Sequence, residues 1–328
     1  MYTPNAYDTS LKWEQTTAYN AGFDYGFLNQ RISGSIDVYY KKTKDLLSQV
    51  YLPVGTNFTN LITTNVGNTE TKGIEFTLNA IPIKTKDFSW SFNYNVAYNN
   101  NKITNLSLVP GVQNVTVAVG TISGATGTTI QEHAVGYAPY SFYVYKQVYG
   151  PNGKPLEGVY ADLNGDGIIN DNDRYLYKSP APKVTMGFST EFDYKKWSLN
   201  TVLRANLGNY VYNNTAANLG TNRNIITTIS TIGNASTDYY NTLFTNNQYQ
   251  SDYYVQNASF LRMDNLGLGY NFGHITSNKH LTLRLNANVQ NVFVITKYKG
   301  IDPEIYSGID NKFYPRPRTY TLGFNLGF

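Results

Sequence analysis

Long, strict alternation constrains this chain more than any other feature. From Tyr320 to Phe328 every even position is Tyr, Leu or Phe, and every odd position is Thr, Gly or Asn. The same pattern runs through Phe88, Trp90, Phe92, Tyr94, Val96 and Tyr98, with Ser, Asn and Ala between them. A strand sends successive side chains to opposite faces, so each stretch has one apolar and one polar face. The stretches 11–26 and 31–47 exceed the roughly 9–11 residues that cross a bilayer as a tilted strand. Strands of soluble sheets average about 5–6 residues. A soluble sandwich or propeller would repeat such short strands every 8–12 residues or so, a spacing this chain lacks. The expected fold is all-β, an antiparallel transmembrane β-barrel.

Eleven candidate strands follow from the pattern: 11–26, 31–47, 68–80, 88–103, 127–137, 140–150, 183–194, 197–211, 259–272, 281–295 and 318–328. Short and long connections alternate between them. An antiparallel sheet therefore puts all the long connections on one side, the asymmetry of outer-membrane barrels. Charged residues make up 15% of the chain, against about 25% in an average soluble domain. No run of about 18 apolar residues offers a membrane-spanning helix. There is no Cys, so no disulfide framework and no thiolate metal site. The net charge of +4 is spread out, with no basic stripe for a nucleic-acid partner. The N-terminus lacks the basic and apolar regions of a signal peptide.

Several segments together resemble one family, the SusC/RagA-type TonB-dependent outer-membrane transporters. They are Leu11–Glu14 with Gly22–Asp24, Asp37–Leu47, Asn65–Asn68 with Lys72–Glu75, Asp162–Gly167, Leu261–Tyr270, Val289–Phe293 and Tyr314–Tyr320. The resemblance runs nearly end to end. It implies a barrel of twenty-two strands around an N-terminal plug, of which residues 1–328 would be the C-terminal half, with plug and signal peptide absent. It also implies nutrient import, of an oligosaccharide or peptide, powered through TonB beneath a SusD-like surface lipoprotein.

The sharpest local motif is Asp162-x-Asn164-x-Asp166-Gly167-Ile168-x-Asn170-x-x-Asp173. Oxygen ligands at loop positions 1, 3, 5, 9 and 12, a carbonyl at position 7 and Gly at 6 form the EF-hand calcium pattern. The candidate Ca²⁺ ligands are Asp162, Asn164, Asp166, the Ile168 carbonyl, Asn170 and Asp173. Asp at position 12 resembles a dockerin loop, but Pro180 and Pro182 follow and there is no second copy. The alternative is a surface loop of Asx-turns that binds nothing. No nucleophile elbow, metal-binding HExxH or phosphate cradle is present, so no enzyme is expected. His133, His274 and His280 are scattered. Tyr239, Tyr240, Tyr253 and Tyr254 are candidates for ligand or lid contact. Lys41, Lys42 and Lys44 end a strand at the membrane rim, solvated or touching headgroup phosphates. Two further functional readings remain open: a passive porin or adhesin barrel, and a calcium-dependent carbohydrate-binding protein.

Overall fold

The computed structural model describes residues 8–51, 61–106, 116–225, 233–275, 281–311 and 314–328. Nine strands hydrogen-bond in sequence order into one antiparallel sheet, the wall. They are β1 Gln15–Phe27, β2 Ile32–Lys44, β3 Asn68–Lys84, β4 Phe88–Asn105, β5 Val184–Tyr194, β6 Trp197–Leu207, β7 Phe260–His274, β8 Thr282–Thr296 and β9 Thr319–Gly327. All but β9 have at least 11 residues, and β4 has 18. Short links join β1–β2, β3–β4, β5–β6 and β7–β8; the long ones all leave the opposite end. We call that end the outer rim.

The register carries the alternation across the sheet. Phe76 pairs with Val96, Leu78 with Tyr94, Phe188 with both Tyr94 and Leu203, and Leu285 with Phe324. These residues share one face. The opposite face is rich in Asn and Ser: the Asn93 amide donates to Asn79 (2.6 Å) and the Asn265 amide to Asn200 (3.0 Å). The apolar face belongs to lipid and the polar face to a lumen. On the lipid face the Trp90 indole N–H is satisfied by Thr190 Oγ1 at 2.9 Å, as a donor away from water requires. Lipid-facing side chains are exposed in the isolated chain, as Leu322 (87%) and Phe324 (69%) show.

Strands β1 and β9 lie at the two ends of the sheet order and do not pair with each other. The sheet is open, as expected for part of a larger barrel and not for a small closed one.

Two of the eleven expected strands are not wall strands. Residues 127–137 and 140–150 do contain strands, Thr129–Ala134 and Ser141–Tyr145. They sit in a separate four-stranded sheet with Thr116–Thr121 and Arg174–Leu176. The physical reason is length and burial. Each has only 5 or 6 residues, and Ile130, Gln131, Ser141 and Phe142 are all buried, so both faces are covered. The two long connections around them merge into one, from Leu106 to Lys183.

This outer loop structure holds the hydrophobic core of the chain. Ile130, Phe142, Val144, Tyr212, Ala217 and Tyr254 pack together with no or almost no exposure. They come from the β4–β5 and β6–β7 connections, and Ile309 of the β8–β9 connection joins them. The outer loops thus form a packed cap.

Candidate functional site

Three features of the cap and rim bear on function: an ion-pair network, a tyrosine shelf and the Asp162–Asp173 loop.

The network begins with a fault in the alternation. Along most of β7 the even residues face lipid: Leu268 pairs with Leu199 and Tyr270 with Trp197. A register shift between Met263 and Asn265 inverts the parity. Beyond it Arg262 pairs with Arg204, and both face inward. Two like charges directly opposite each other repel unless neutralised. Asp264 takes the Arg204 guanidinium, and Arg204 Nη1 also donates to Glu304 at 2.8 Å. Arg262 Nη2 donates to Asp302 at 2.8 Å, and its Nη1 to Asn291 Oδ1 at 2.9 Å. Arg316 reaches Asp302 (3.3 Å) and Glu304 (3.0 Å). Three arginines therefore balance three carboxylates. Arg262 and Asp302 are buried, at 2% and 6% side-chain exposure. Asn291, held at φ 52°, also donates to the carbonyl of Arg316 at 3.0 Å. Three of the segments that carried the family resemblance, 261–270, 289–293 and 314–320, meet in this network.

Burial raises the Glu304 carboxyl, but the hydrogen bonds and charge of Arg204, with Arg316 and Arg262, outweigh it and hold the group below its ordinary range. Sequence reasoning missed the network. A signal existed: Arg262 and Asp264 stand inside a segment of membrane-strand length, where a charge needs a partner.

The tyrosine shelf lies on the cap. Tyr145 stacks on Tyr160 with ring centroids 4.8 Å apart, and Tyr175 lies 5.4 Å from Tyr177. Lys178 lies over the rings of Tyr177 (5.2 Å) and Tyr210 (5.4 Å), and Arg174 over Tyr143 (4.4 Å). The Tyr175 hydroxyl donates to Asp252 at 2.7 Å. Burial, with Tyr145 and Asp252 nearby, pushes the Tyr160 phenol up to about 12. Such phenols stay protonated and donate inside the cap, Tyr160 to Gln248 (2.7 Å) and Tyr145 to Asp171 (3.1 Å), so what the shelf offers outward is aromatic faces. Tyr149 and Tyr177 keep substantial exposure. The four loop tyrosines singled out from sequence divide differently. Tyr240 is exposed, Tyr239 and Tyr253 are half-buried, and Tyr254 lies in the cap core, out of reach of a ligand.

The Asp162–Asp173 loop folds on its own side chains. Asp162 accepts from the amides of Gly165 (2.6 Å) and Gly167 (2.8 Å). Asp166 accepts from Ile168 N at 2.8 Å, and Asn164 Oδ1 from Asp166 N at 3.0 Å. Asp173 is fully buried and accepts from Asn170 N (2.9 Å) and Leu163 N (2.8 Å). Those amides, Asn170 first, hold its carboxyl below the usual range. Asn170 caps the short 3₁₀ turn Asp171–Asp173. Gly165 and Gly167 take φ 75° and 80°, the left-handed region that a side chain would strain. The expected Asx-turns are therefore present. Among the described residues no three acidic or histidine groups converge on one point, so the carboxylates as placed serve the loop's own amides. Each carboxylate oxygen keeps a second lone pair, and the Asn and Ile168 oxygens could complete a set.

His133 is half-buried against Tyr140, rings 4.6 Å apart, and burial lowers its pKa. His274 ends β7, and His280 lies outside the described residues.

Comparison with known proteins follows the same lines. A family model of the TonB-dependent receptor-like β-barrel matches residues 1–154. The TonB-dependent receptor SusC of Bacteroides thetaiotaomicron is 46% identical over 99% of this chain, which covers 33% of that protein. The TonB-dependent receptor P3 of Formosa agariphila is 32% identical over 97% of the chain, which covers 34% of it. Among solved structures, that of the RagAB peptide transporter superposes with a TM-score of 0.76 at 25% identity, over 97% of this chain and 36% of that one. The chain thus spans about a third of the length of the relatives it matches. With nine sequential wall strands, a lipid-facing band and a capped outer rim, it belongs to the SusC/RagA-type TonB-dependent receptors of the outer membrane.

Proposed function

We propose that the protein takes part in TonB-dependent import of an oligosaccharide or peptide, with this chain supplying part of the barrel wall and its outer cap. The observation that carries the reading is the 46% identity to the receptor SusC across 99% of the chain. The open edges at β1 and β9 fit it, because unpaired backbone groups cannot face hydrocarbon and need further wall strands. The tyrosine shelf favours the oligosaccharide, since aromatic faces suit the apolar faces of sugar rings. The peptide remains a second reading, supported by the likeness to the RagAB peptide transporter. Deletion of the gene, with growth and uptake measured on candidate glycans and peptides, tests both. Uptake that survives a protonophore or loss of TonB would instead indicate a passive pore.

A SusD-like lipoprotein is the proposed outer partner, over a cap that presents Tyr240, Tyr306 and Tyr314 exposed. TonB would engage parts of the protein outside this chain. Ca²⁺ is proposed in the Asp162–Asp173 loop, through Asp162, Asn164, Asp166, the Ile168 carbonyl, Asn170 and Asp173, to order the cap. Calcium titration of the purified receptor followed by calorimetry checks this, and no binding at millimolar Ca²⁺ refutes it.

A further inference from the structure

The lipid-facing side of β1 to β4 changes character abruptly near the outer rim. On β4 the band runs Phe88, Trp90, Phe92, Tyr94, Val96, Tyr98, a length of eleven residues in register with Phe76, Leu78 and Ile74 on β3. That is about the strand length that spans hydrocarbon. At its upper edge come Tyr19, Tyr40 and Tyr98, with Tyr19 stacked on Tyr40 at 6.4 Å. The next positions of the same face are basic. Tyr40 pairs with Lys72, which pairs with Asn100; Lys42 pairs with Glu70, which pairs with Lys102. Lys44 follows one step above Lys42, opposite Gln15. Lys72 extends over the Tyr40 ring at 5.3 Å and touches Glu70 at 3.0 Å. Lys42, Lys44 and Lys102 form no ion pair among the described residues, and Glu70 is the one carboxylate in these rows. Lys41, just before Lys42 in sequence, lies on the lumen face over Tyr39.

We propose that this patch binds a phosphate-bearing lipid of the outer leaflet. The acyl chains would lie on the aromatic band, and the headgroup phosphates would meet Lys42, Lys44, Lys72 and Lys102. Neighbouring strands lie about 4.8 Å apart, so these lysines fall within the reach of one headgroup. Their height matches, because they begin where the apolar band ends. A solvated strand end has no reason to place its lysines on the lipid-facing parity of three adjacent strands. The assignment depends on the orientation set by the long loops, and not on the transported substrate.

The test is native mass spectrometry of the full-length receptor in detergent, titrated with diphosphoryl lipid A and with its fully dephosphorylated form. We expect the phosphorylated lipid to bind at least tenfold more tightly. The variant K42Q/K72Q/K102Q should weaken it on the order of 100-fold, at about tenfold or less per lysine. K42R/K72R/K102R should restore binding, and K41Q, one residue away on the other face, should leave it unchanged. Heat-modified migration of each variant on a gel confirms a folded barrel. Equal affinity for the dephosphorylated lipid overturns the proposal, as does a glutamine variant that binds like wild type. Competition by inorganic phosphate at the lipid's own concentration overturns it too, since it would reveal a free-anion site.

Discussion

Removing the Arg262 side chain tests how the cap is fastened to the wall. Arg262→Ala deletes two charge-assisted hydrogen bonds, to Asp302 (2.8 Å) and to Asn291 (2.9 Å). It also leaves Asp302, at 6% side-chain exposure, as a buried carboxylate. Breaking a buried ion pair from one side costs about 3–5 kcal/mol. Arg316 remains 3.3 Å from Asp302 and the Glu304 amide still donates to it at 2.8 Å, so the lower end of that range applies here. About 3 kcal/mol corresponds to a factor of about 100 or more in a local opening equilibrium.

The place to read it is the backbone that ties the last outer loop to the cap. The Tyr212 amide donates to the Gly308 carbonyl (2.8 Å), and the Asp310 amide to the Tyr212 carbonyl (3.0 Å). Hydrogen exchange of the full receptor should show the Tyr212 and Asp310 amides exchanging about 100-fold faster in Arg262→Ala. Those of mid-wall Phe188 and Leu203 should be unchanged. The paired variant Arg262→Met with Asp302→Asn should recover at least half the loss, because a neutral pair leaves no stranded charge. Loss below about 1 kcal/mol, or a paired variant worse than Arg262→Ala, would refute the view that the network holds the loop.

Other expectations concern the wall, the cap core and pH. Leu203→Arg, midway along the lipid face of β6, should destabilise the wall by about 2–4 kcal/mol in denaturant titrations in lipid vesicles, and Asn200→Arg on the lumen face by far less. Phe142→Ala removes a fully buried ring from the cap core and should cost about 3–5 kcal/mol, seen as faster exchange in the cap with the wall unchanged. Glu304 and Asp173 both have folded pKa values below their ordinary ones, so each stabilises fully above the ordinary carboxylate range. That contribution is lost as pH falls through the depressed values. Proteolysis of the cap should therefore accelerate below about pH 4 while wall strands stay resistant, and acceleration on raising the pH from neutral would contradict the sign.

The wall was legible from sequence because lipid enforces a period of two over most of each strand. Positions such as Trp90, Phe188 and Leu322 could be assigned to a face before any coordinates. The error at 127–150 has a specific cause. Ser141–Tyr145 is apolar because both its faces are buried in the cap, and a doubly buried short strand reads like a stretch of wall. Tyr254 failed as a ligand candidate for the same reason. The ion network was illegible because its members are brought together by two faults in the alternation, the register shift at Met263–Asn265 and the left-handed Asn291. No local pattern announces which face a residue takes after a bulge. The turns of the Asp162–Asp173 loop were readable, since Asx-turns and positive-φ glycines are local; a bound ion is not.

Wall and cap are held by different physics, and this bears on which part can move. The wall buries almost no side chain completely; its strands are joined by backbone ladders whose groups cannot open into hydrocarbon, since each would lose its partner without gaining water. The cap is the reverse, a water-facing body built on Ile130, Phe142, Tyr212 and Tyr254, with loops that can exchange backbone bonds for water. Any rearrangement that admits a ligand from outside is therefore far less costly in the cap than in the wall. The Arg204–Arg262–Arg316 cluster lies where the two meet, and its carboxylates Asp302 and Glu304 belong to the last outer loop. Of these pairs, those of the part-exposed Arg316 are the ones that water and salt reach, while Arg262–Asp302 is shielded by burial. A ligand or partner that competes for those arginines would loosen this loop without opening a single wall strand.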